Sequence, residues 1–194
     1  MIPVSRAEEP AEFDEQVRRP GIQWLAENPK VGRPRDFWTH CLPALREAFS
    51  SRCGYAAMYD ATGGTVDHYL SVKNHRDRAY EWKNYRFASG PMNITKKNAD
   101  ATVLDPHEVQ AGWFEILLPS LQMRVTDSVP NEFRERAEYT LKRLKLRDGE
   151  RILEWREGWY QGYLNGWVSL EGLRQYAPLI AKAVERAEEE QKIS

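Results

Sequence analysis

The fold is decided by the segment Thr65-Val66-Asp67-His68-Tyr69-Leu70 and by what flanks it. Gly63-Gly64 precedes this segment and separates it from a second β-prone run over 55–59. A Gly-Gly pair between two such runs is typical of a β-hairpin turn. Downstream, the segment Met92-Asn93-Ile94-Thr95-Lys96-Lys97-Asn98 can open a short helix. The stretch therefore predicts a β-hairpin followed by a helix.

Side chains suited to metal-assisted phosphodiester cleavage lie along the same stretch. Asp67 and Asn93 offer the oxygen ligands that a hard divalent cation prefers. His68 has the near-neutral pKa that a general base needs. Strand alternation points Asp67 and His68 to opposite sides unless the strand bends between them. Lys96 and Lys97 follow Asn93 at helical spacing, so either can share its face.

The order of these motifs resembles a known family. A hairpin, Asp67-His68, Trp82-Lys83-Asn84-Tyr85 and Asn93-Ile94-Thr95-Lys96 together resemble the HNH (ββα-metal) endonucleases. The match covers about residues 50–100. It is nearest to small HNH proteins of bacterial anti-phage defence systems, in which the HNH protein accompanies an ATPase. Val103-Leu104-Asp105-Pro106 is associated with that branch more loosely.

The resemblance implies a role for each matched residue. Asp67 and Asn93 would hold one Mg²⁺ or Mn²⁺, and His68 would activate water. Asn84 would hold His68 in place. The implied function is a metal-dependent endonuclease that hydrolyses DNA, with an ATPase as a possible partner protein. Lys96 or Lys97 would correspond to the basic residue near a phosphate, and the basic segment around the motif adds Lys73 and Arg86 as predicted phosphate or DNA contacts.

The cysteines depart from the family pattern. Many relatives carry two Cys-x-x-Cys pairs that bind a structural zinc. The corresponding positions here read Cys53-Gly54-Tyr55-Ala56 and Ser89-Gly90-Pro91-Met92, so that one cysteine remains. One thiolate cannot hold a zinc ion that typically takes four ligands, and we expect no structural zinc. We expect packing to hold the hairpin instead, through Tyr55, Met58, Tyr80, Trp82 and Met92.

Charge is distributed unevenly along a chain whose net charge is −1. The near-neutral total argues against a protein that coats nucleic acid along its whole surface. Residues 67–98 nevertheless carry seven lysines and arginines against three acidic residues. Such a basic segment fits a phosphate-binding face. Charge alone does not separate that face from ordinary solvated charge.

The remaining pattern predicts an α+β protein in which a small ββα-metal core is embedded in a mostly helical single domain. Residues 1–34 form a wrapping arm with a short helix over 10–18, which Pro20-Gly21 ends. Residues 35–100 hold the ββα core and a helix from Asp36 to Phe49, which Pro43 kinks or delays. Residues 101–194 hold a β region around Pro119-Ser120, then helices over 131–146, after Asp148 and after Ser169.

Location and the alternative functions complete the sequence-based expectations. The N-terminal segment lacks the apolar core of a signal peptide, and no apolar run approaches the roughly 20 residues that span a bilayer. We expect a cytoplasmic protein that does not contact a membrane. The alternative to an active nuclease is a catalytically faded HNH-fold subunit that docks into an ATPase-containing defence complex. A structural or regulatory protein with a chance motif match is the third possibility.

Overall fold

The N-terminal segment folds into one continuous helical element. The computed structural model describes residues 1–193. A π-helical turn over Asp14–Arg18 runs directly into helix α1, Arg19–Glu27. The predicted break at Pro20-Gly21 is therefore wrong. Pro20 lies in the first turn of α1, directly after the π-helical turn, so its missing N–H group removes a hydrogen bond only at the junction of the two.

Gly21 is needed where α1 crosses the loop that leads into the second strand. A Cβ atom at position 21 would lie 2.3 Å from Cγ of Tyr80, closer than real Cβ contacts come. The absence of a side chain thus lets α1 rest directly on the Tyr80 ring.

The second helical segment was predicted to begin after a cap at Asp36, but its α-helix begins only at Leu42. Oδ1 of Asp36 accepts hydrogen bonds from the backbone N–H and the hydroxyl of Thr39. A 3₁₀ turn over Trp38–Cys41 follows, and helix α2 spans Leu42–Ala48 with Pro43 in its first turn. The expectation that Pro43 delays the helix is confirmed, because its ring is tolerated only at a helix start.

The first sheet pairs different strands from those predicted. Strand β1, Thr65–His68, is antiparallel to strand β2, Tyr85–Ala88, with Thr65 opposite Ala88 and His68 opposite Tyr85. The predicted strand over 55–59 is wrong, because that stretch is irregular and contributes only an isolated bridge between Arg52 and Tyr59. A long loop over 69–84 connects the two strands.

Gly64 is required for a close packing contact and does not form a hairpin turn. Its φ is +65°, and a Cβ there would lie 2.3 Å from Cζ of Phe87. The glycine therefore allows a close approach to the Phe87 ring on β2, directly before β1 begins.

Helix α3, Gly90–Lys96, follows β2 directly and contacts β1. Gly90-Pro91 begins this helix, since Pro91 occupies its first turn. The helix predicted from residue 92 is confirmed, although it begins two residues earlier than expected. Two antiparallel strands and a helix thus follow one another along the chain.

The C-terminal half agrees closely with the pattern. Strands β3, Phe114–Leu117, and β4, Gln122–Val125, pair antiparallel across the Pro119-Ser120 turn. Helices α4, Asn131–Arg143, and α5, Glu150–Leu164, follow as predicted. The last predicted helix is two: Ser169 caps α6, Leu170–Tyr176, and α7 spans Pro178–Ile193.

Two apolar clusters flank the first sheet, and the architecture is α+β. One cluster lies between the N-terminal helices and β1–β2, and the other joins α3, β3–β4 and the C-terminal helices. The five side chains expected to pack around the hairpin are all buried: Tyr55, Met58, Tyr80, Trp82 and Met92. Within residues 1–193, no helix is both long enough and apolar enough to cross a membrane.

Candidate functional site

The two residues of the Asp67-His68 motif lie on different sides of β1. The Asp67 side chain contacts Tyr55 and Lys96. The His68 ring packs on Trp38 and Tyr85 instead. Its centroid lies 4.6 Å from the centroid of the Trp38 ring and 5.1 Å from that of the Tyr85 ring. This is the outcome of plain strand alternation, so the strand does not bend to bring the two side chains together.

His68 is held as an oriented, neutral imidazole. Its Nε2 lies 2.9 Å from the carbonyl oxygen of Ala79. Because a carbonyl only accepts hydrogen bonds, we assign the proton to Nε2, which leaves a lone pair on Nδ1. Burial lowers the pKa of His68 below its ordinary value of 6.5. At neutral pH the ring can therefore take up a proton at Nδ1.

Asn84 fixes the loop that presents the Ala79 carbonyl. Its Oδ1 accepts a hydrogen bond of 2.7 Å from the Leu70 backbone N–H. Its Nδ2 donates to the carbonyl oxygens of Leu70 at 2.9 Å and Arg78 at 3.1 Å. The Tyr85 hydroxyl also donates to the Ala79 carbonyl at 2.8 Å. Asn84 is 5% exposed, so these bonds are shielded from water. Asn84 thus acts on His68 through the backbone next to Ala79.

Asp67 is paired internally on both carboxylate oxygens. The Tyr55 hydroxyl donates to Oδ2 at 2.7 Å, and the Lys96 ammonium donates to Oδ1 at 3.1 Å. Lys96 also donates to the His68 carbonyl oxygen at 2.8 Å. The side chains of Asp67 and Lys96 are 1% and 0% exposed. The negative charge of Asp67 is therefore neutralised inside the protein.

Asn93 joins α3 to the start of β1. Its Nδ2 donates to the Thr65 hydroxyl at 3.0 Å and to the Val66 carbonyl at 3.3 Å. Its Oδ1 has no hydrogen-bond donor among residues 1–193. Asn93 and Lys96 thus face β1 from successive turns of α3, and Lys97 is exposed just beyond the helix.

The oxygen ligands present do not fit a divalent cation as they are arranged. The Asp67 carboxylate and the Asn93 amide oxygen are chemically suitable ligands. Both oxygens of Asp67 are already engaged, however, and Lys96 occupies the place of a counter-cation. Within the described chain, no group of three or more His, Cys, Asp or Glu residues is arranged to hold a metal ion. A cation could reach Asp67 only after Lys96 had moved.

Two of the residues predicted to contact DNA are internal. Arg86 is 2% exposed, and its Nε donates to Oδ1 of Asp105 at 2.6 Å. Burial raises the pKa of Asp105, but the hydrogen bond and charge of Arg86 outweigh it and hold that pKa below its usual range. Lys96 is buried against Asp67. Neither Arg86 nor Lys96 can grip a phosphate in this arrangement, and that prediction is corrected for both.

The exposed charge of segment 67–98 is smaller than its composition suggests. Arg76 donates to the carbonyl oxygens of Val31 and Asn28, and Arg78 pairs with acidic neighbours in its own loop. Three exposed lysines of the segment have no ion pair within residues 1–193: Lys73, Lys83 and Lys97. Lys73 and Lys97, both predicted to contact DNA, therefore remain accessible.

Cys53 is fully buried at the first of the cysteine positions. Burial raises the pKa of its thiol, and backbone N–H groups nearby only partly offset this. The other three positions that correspond to cysteines of the two Cys-x-x-Cys pairs carry Ala56, Ser89 and Met92. Cys53 therefore packs as a neutral thiol.

Sequence reasoning missed three contributors to the site. Ala79 acts through its backbone carbonyl, which no side-chain pattern announces. Tyr55 was assigned to packing, yet it also donates to Asp67. Trp38 falls within the helix predicted over 36–49, but it lies in the 3₁₀ turn before α2 and its ring covers His68.

No protein-family model matches the chain, and no curated protein matches it significantly.

Proposed function

We propose that the protein is an HNH-type endonuclease that hydrolyses phosphodiester bonds of DNA, with a ββα core built from β1, β2 and α3. The observation that carries the proposal is the hydrogen bond between His68 Nε2 and the Ala79 carbonyl. It sets the tautomer and the orientation of the ring, and the lowered pKa keeps Nδ1 unprotonated at neutral pH.

In the proposed reaction His68 acts as the general base. Nδ1 takes a proton from a water molecule as the water oxygen attacks phosphorus. The bond to the leaving 3′ oxygen breaks, and that oxygen takes up a proton from solvent. The imidazolium that forms still donates from Nε2 to the Ala79 carbonyl, which stabilises the positive charge. Asn84 is a positioning residue, since it holds the loop that carries Ala79.

The family cofactor, Mg²⁺ or Mn²⁺, enters the proposal only through a rearrangement. Asp67 and Asn93 would hold it, and it would stabilise charge on the phosphate. Lys96 must first leave Asp67, because the carboxylate is otherwise neutralised. Strand β1 must also bend between Asp67 and His68, because their side chains lie on different sides of it and both would have to face one phosphate. Lys73 and Lys97 are exposed and can contact DNA phosphates without such a rearrangement.

Plasmid cleavage tests the proposal directly. The purified chain is incubated with supercoiled plasmid and Mg²⁺ or Mn²⁺, with and without an ATPase encoded beside it. We expect nicked or linear product from the wild type and none from His68→Ala, whose fold is checked by circular dichroism. Equal cleavage by wild type and His68→Ala would show that His68 is not the base.

The internal pairing of both Asp67 carboxylate oxygens favours a second candidate function. In it the HNH fold is catalytically faded and serves as a docking subunit of an ATPase-containing defence complex. A buried carboxylate satisfied by Tyr55 and Lys96 is what a structural site requires. Titration with Mn²⁺ separates the two candidates. An active site binds the ion, and binding is lost in Asp67→Asn, whereas a faded site binds none.

A further inference from the structure

An apolar groove of about 950 Å³ lies between α3 and α5. Pro91, Met92 and Thr95 of α3 form one wall. Ile152, Trp155 and Trp159 of α5 form the other. Residues 59–62 also line it. Asn93 and Lys96, the α3 residues that contact β1, are not among its lining residues. Its lining is apolar over most of its area, which is typical of a binding site for another molecule.

Trp167 marks the open side of this groove. It lines the groove and is 81% exposed, the largest exposure among the bulky apolar side chains described. An exposed indole beside two further tryptophans is an unfavourable surface for an isolated protein. Tryptophan is also enriched at the energetic centres of protein interfaces. The tryptophans therefore point to a protein segment as the occupant.

Asp60 supplies the charge that selects the occupant. Five charged residues line the groove, and four of them are exposed: Lys145, Glu150, Arg151 and Glu154. Asp60 is 2% exposed. Its Oδ1 accepts both the backbone N–H and the hydroxyl of Thr62, at 2.7 and 2.6 Å. Its Oδ2 has no hydrogen-bond donor among residues 1–193.

We propose that this groove binds a peptide segment of a partner protein in which an arginine or lysine stands next to bulky apolar side chains. A buried carboxylate with one oxygen that accepts no hydrogen bond from the described chain gains most from a cationic donor. The exposed charges around it are of both signs and already solvated, so they add little selectivity. The apolar side chains of the segment lie on Trp155 and Trp159, and its cation pairs with Asp60.

The groove is independent of nuclease chemistry but shares a helix with the candidate site. Asn93 and Lys96 extend from α3 toward β1, whereas Met92 and Thr95 of the same helix line the groove. A bound segment would therefore contact the helix that carries Lys96. The proposal stands or falls on binding, so its failure is distinguishable from a failure to cleave DNA.

Peptide display with the full chain tests the proposal. Phage-displayed random peptides are selected on wild-type protein, and the enriched peptides are synthesised. Affinities are then measured for wild type, Asp60→Asn and Gly158→Leu. Asn keeps the acceptor for Thr62 and removes the charge. Gly158 lines the groove and has open space where a Cβ would stand, so leucine fills the groove without disturbing the fold. Glu157→Ala, exposed on the same helix and outside the groove, is the matched control.

We expect the enriched peptides to combine a basic residue with Trp, Phe or Leu. Both groove variants should weaken binding at least about tenfold, and Glu157→Ala should leave it unchanged. The proposal is overturned if no peptide is enriched, if the basic residue is not required, or if both groove variants bind normally. It is also overturned if sedimentation shows self-association that Gly158→Leu abolishes, because the occupant is then a second copy of the chain.

Discussion

The ammonium of Lys96 lies 3.1 Å from Oδ1 of Asp67, and neither side chain reaches solvent. The pair joins the last turn of α3 to the middle of β1. A buried ion pair contributes little net stability when it is compared with an apolar pair, yet it is costly to break from one side. Lys96 therefore acts as an internal counter-ion of the candidate site.

Removing the cation alone should destabilise the fold strongly. We expect Lys96→Ala to lower the free energy of unfolding by about 3–5 kcal/mol, because Asp67 is left as an unpaired buried charge. Lys97→Ala, at the exposed neighbouring position, should change it by less than about 0.5 kcal/mol. Urea denaturation of both variants measures the difference. The double variant Asp67→Asn, Lys96→Met should recover part of the loss, and equal losses in Lys96→Ala and Lys97→Ala would contradict the buried pair.

Replacing the proposed base should abolish cleavage without loosening the loop. In His68→Gln the side-chain amide can still donate to the Ala79 carbonyl, but it cannot take up a proton. We expect cleavage to fall by at least about 100-fold, the usual lower bound for loss of a general base. Single-turnover cleavage of a labelled duplex measures the rate, and thermal melting checks the fold. Retained cleavage in this variant would assign the base to another group.

The lowered pKa of His68 also predicts how stability depends on pH. In the unfolded chain the imidazole takes up a proton as the pH falls through 6.5, whereas the folded state resists protonation until a lower pH. Stability should therefore be highest above pH 6.5 and decrease as the pH falls below it. Burial lowers the pKa of His107 in the same direction, so His68→Gln should remove only part of this dependence.

Denaturant unfolding between pH 5 and pH 8 measures this trend, with wild type and His68→Gln compared at each pH. The acid limb of the cleavage rate should correspondingly extend below pH 6.5. A stability that rises as the pH falls toward 5 in the wild type alone would mean that His68 is charged in the folded state.

Asn84→Ala should weaken both the loop and the candidate site. It removes one acceptor and two donors that hold the backbone at Leu70 and Arg78. We expect a loss of about 1–3 kcal/mol in unfolding free energy. The cleavage rate should fall as well, because the Ala79 carbonyl is no longer fixed. Lys83→Ala, exposed and adjacent, is the control for both measurements. A cleavage rate in Asn84→Ala equal to that of the wild type would show that Asn84 does not position His68.

DNA affinity should depend on the exposed lysines and not on the buried arginine. Each of Lys73→Ala and Lys97→Ala should reduce the slope of log affinity against log salt by about 1, as expected for one lost phosphate contact. Arg86→Ala should instead destabilise the fold, since Asp105 loses its buried partner. Fluorescence anisotropy with a labelled duplex at several salt concentrations measures the slopes. An unchanged slope in both lysine variants would place the DNA elsewhere.

Much of the fold could be predicted because local rules decide it. The Pro119-Ser120 turn, the start of α4 after Pro130 and the Ser169 cap each depend on residues near them in sequence. The strand that pairs with β1 does not depend on nearby residues. Either segment 55–59 or segment 85–88 could pair with it, and long-range packing, in which Gly64 makes room for Phe87, selects 85–88. Long-range packing also decides α1, because the contact with the Tyr80 ring requires a glycine at position 21 inside the helix.

The sequence predicted on which elements the candidate residues lie, but it did not predict their partners. Strand alternation correctly separated Asp67 from His68. The sequence could not reveal that Lys96 turns inward to Asp67 while Lys97 stays outside, because both positions share a helix face within the error of helical spacing. It also could not show that Arg86 is buried, since Asp105, its partner, lies outside the motif region.

The contact between Gly21 and Tyr80 ties the N-terminal helix to the proposed base. Tyr80 directly follows Ala79, whose carbonyl orients His68. A single methyl group added at position 21 would have to push the Tyr80 ring aside, and the displacement would reach the imidazole through one peptide unit. A mutational screen for inactive variants should therefore recover Gly21 substitutions alongside those at His68, although residue 21 touches none of the reacting atoms.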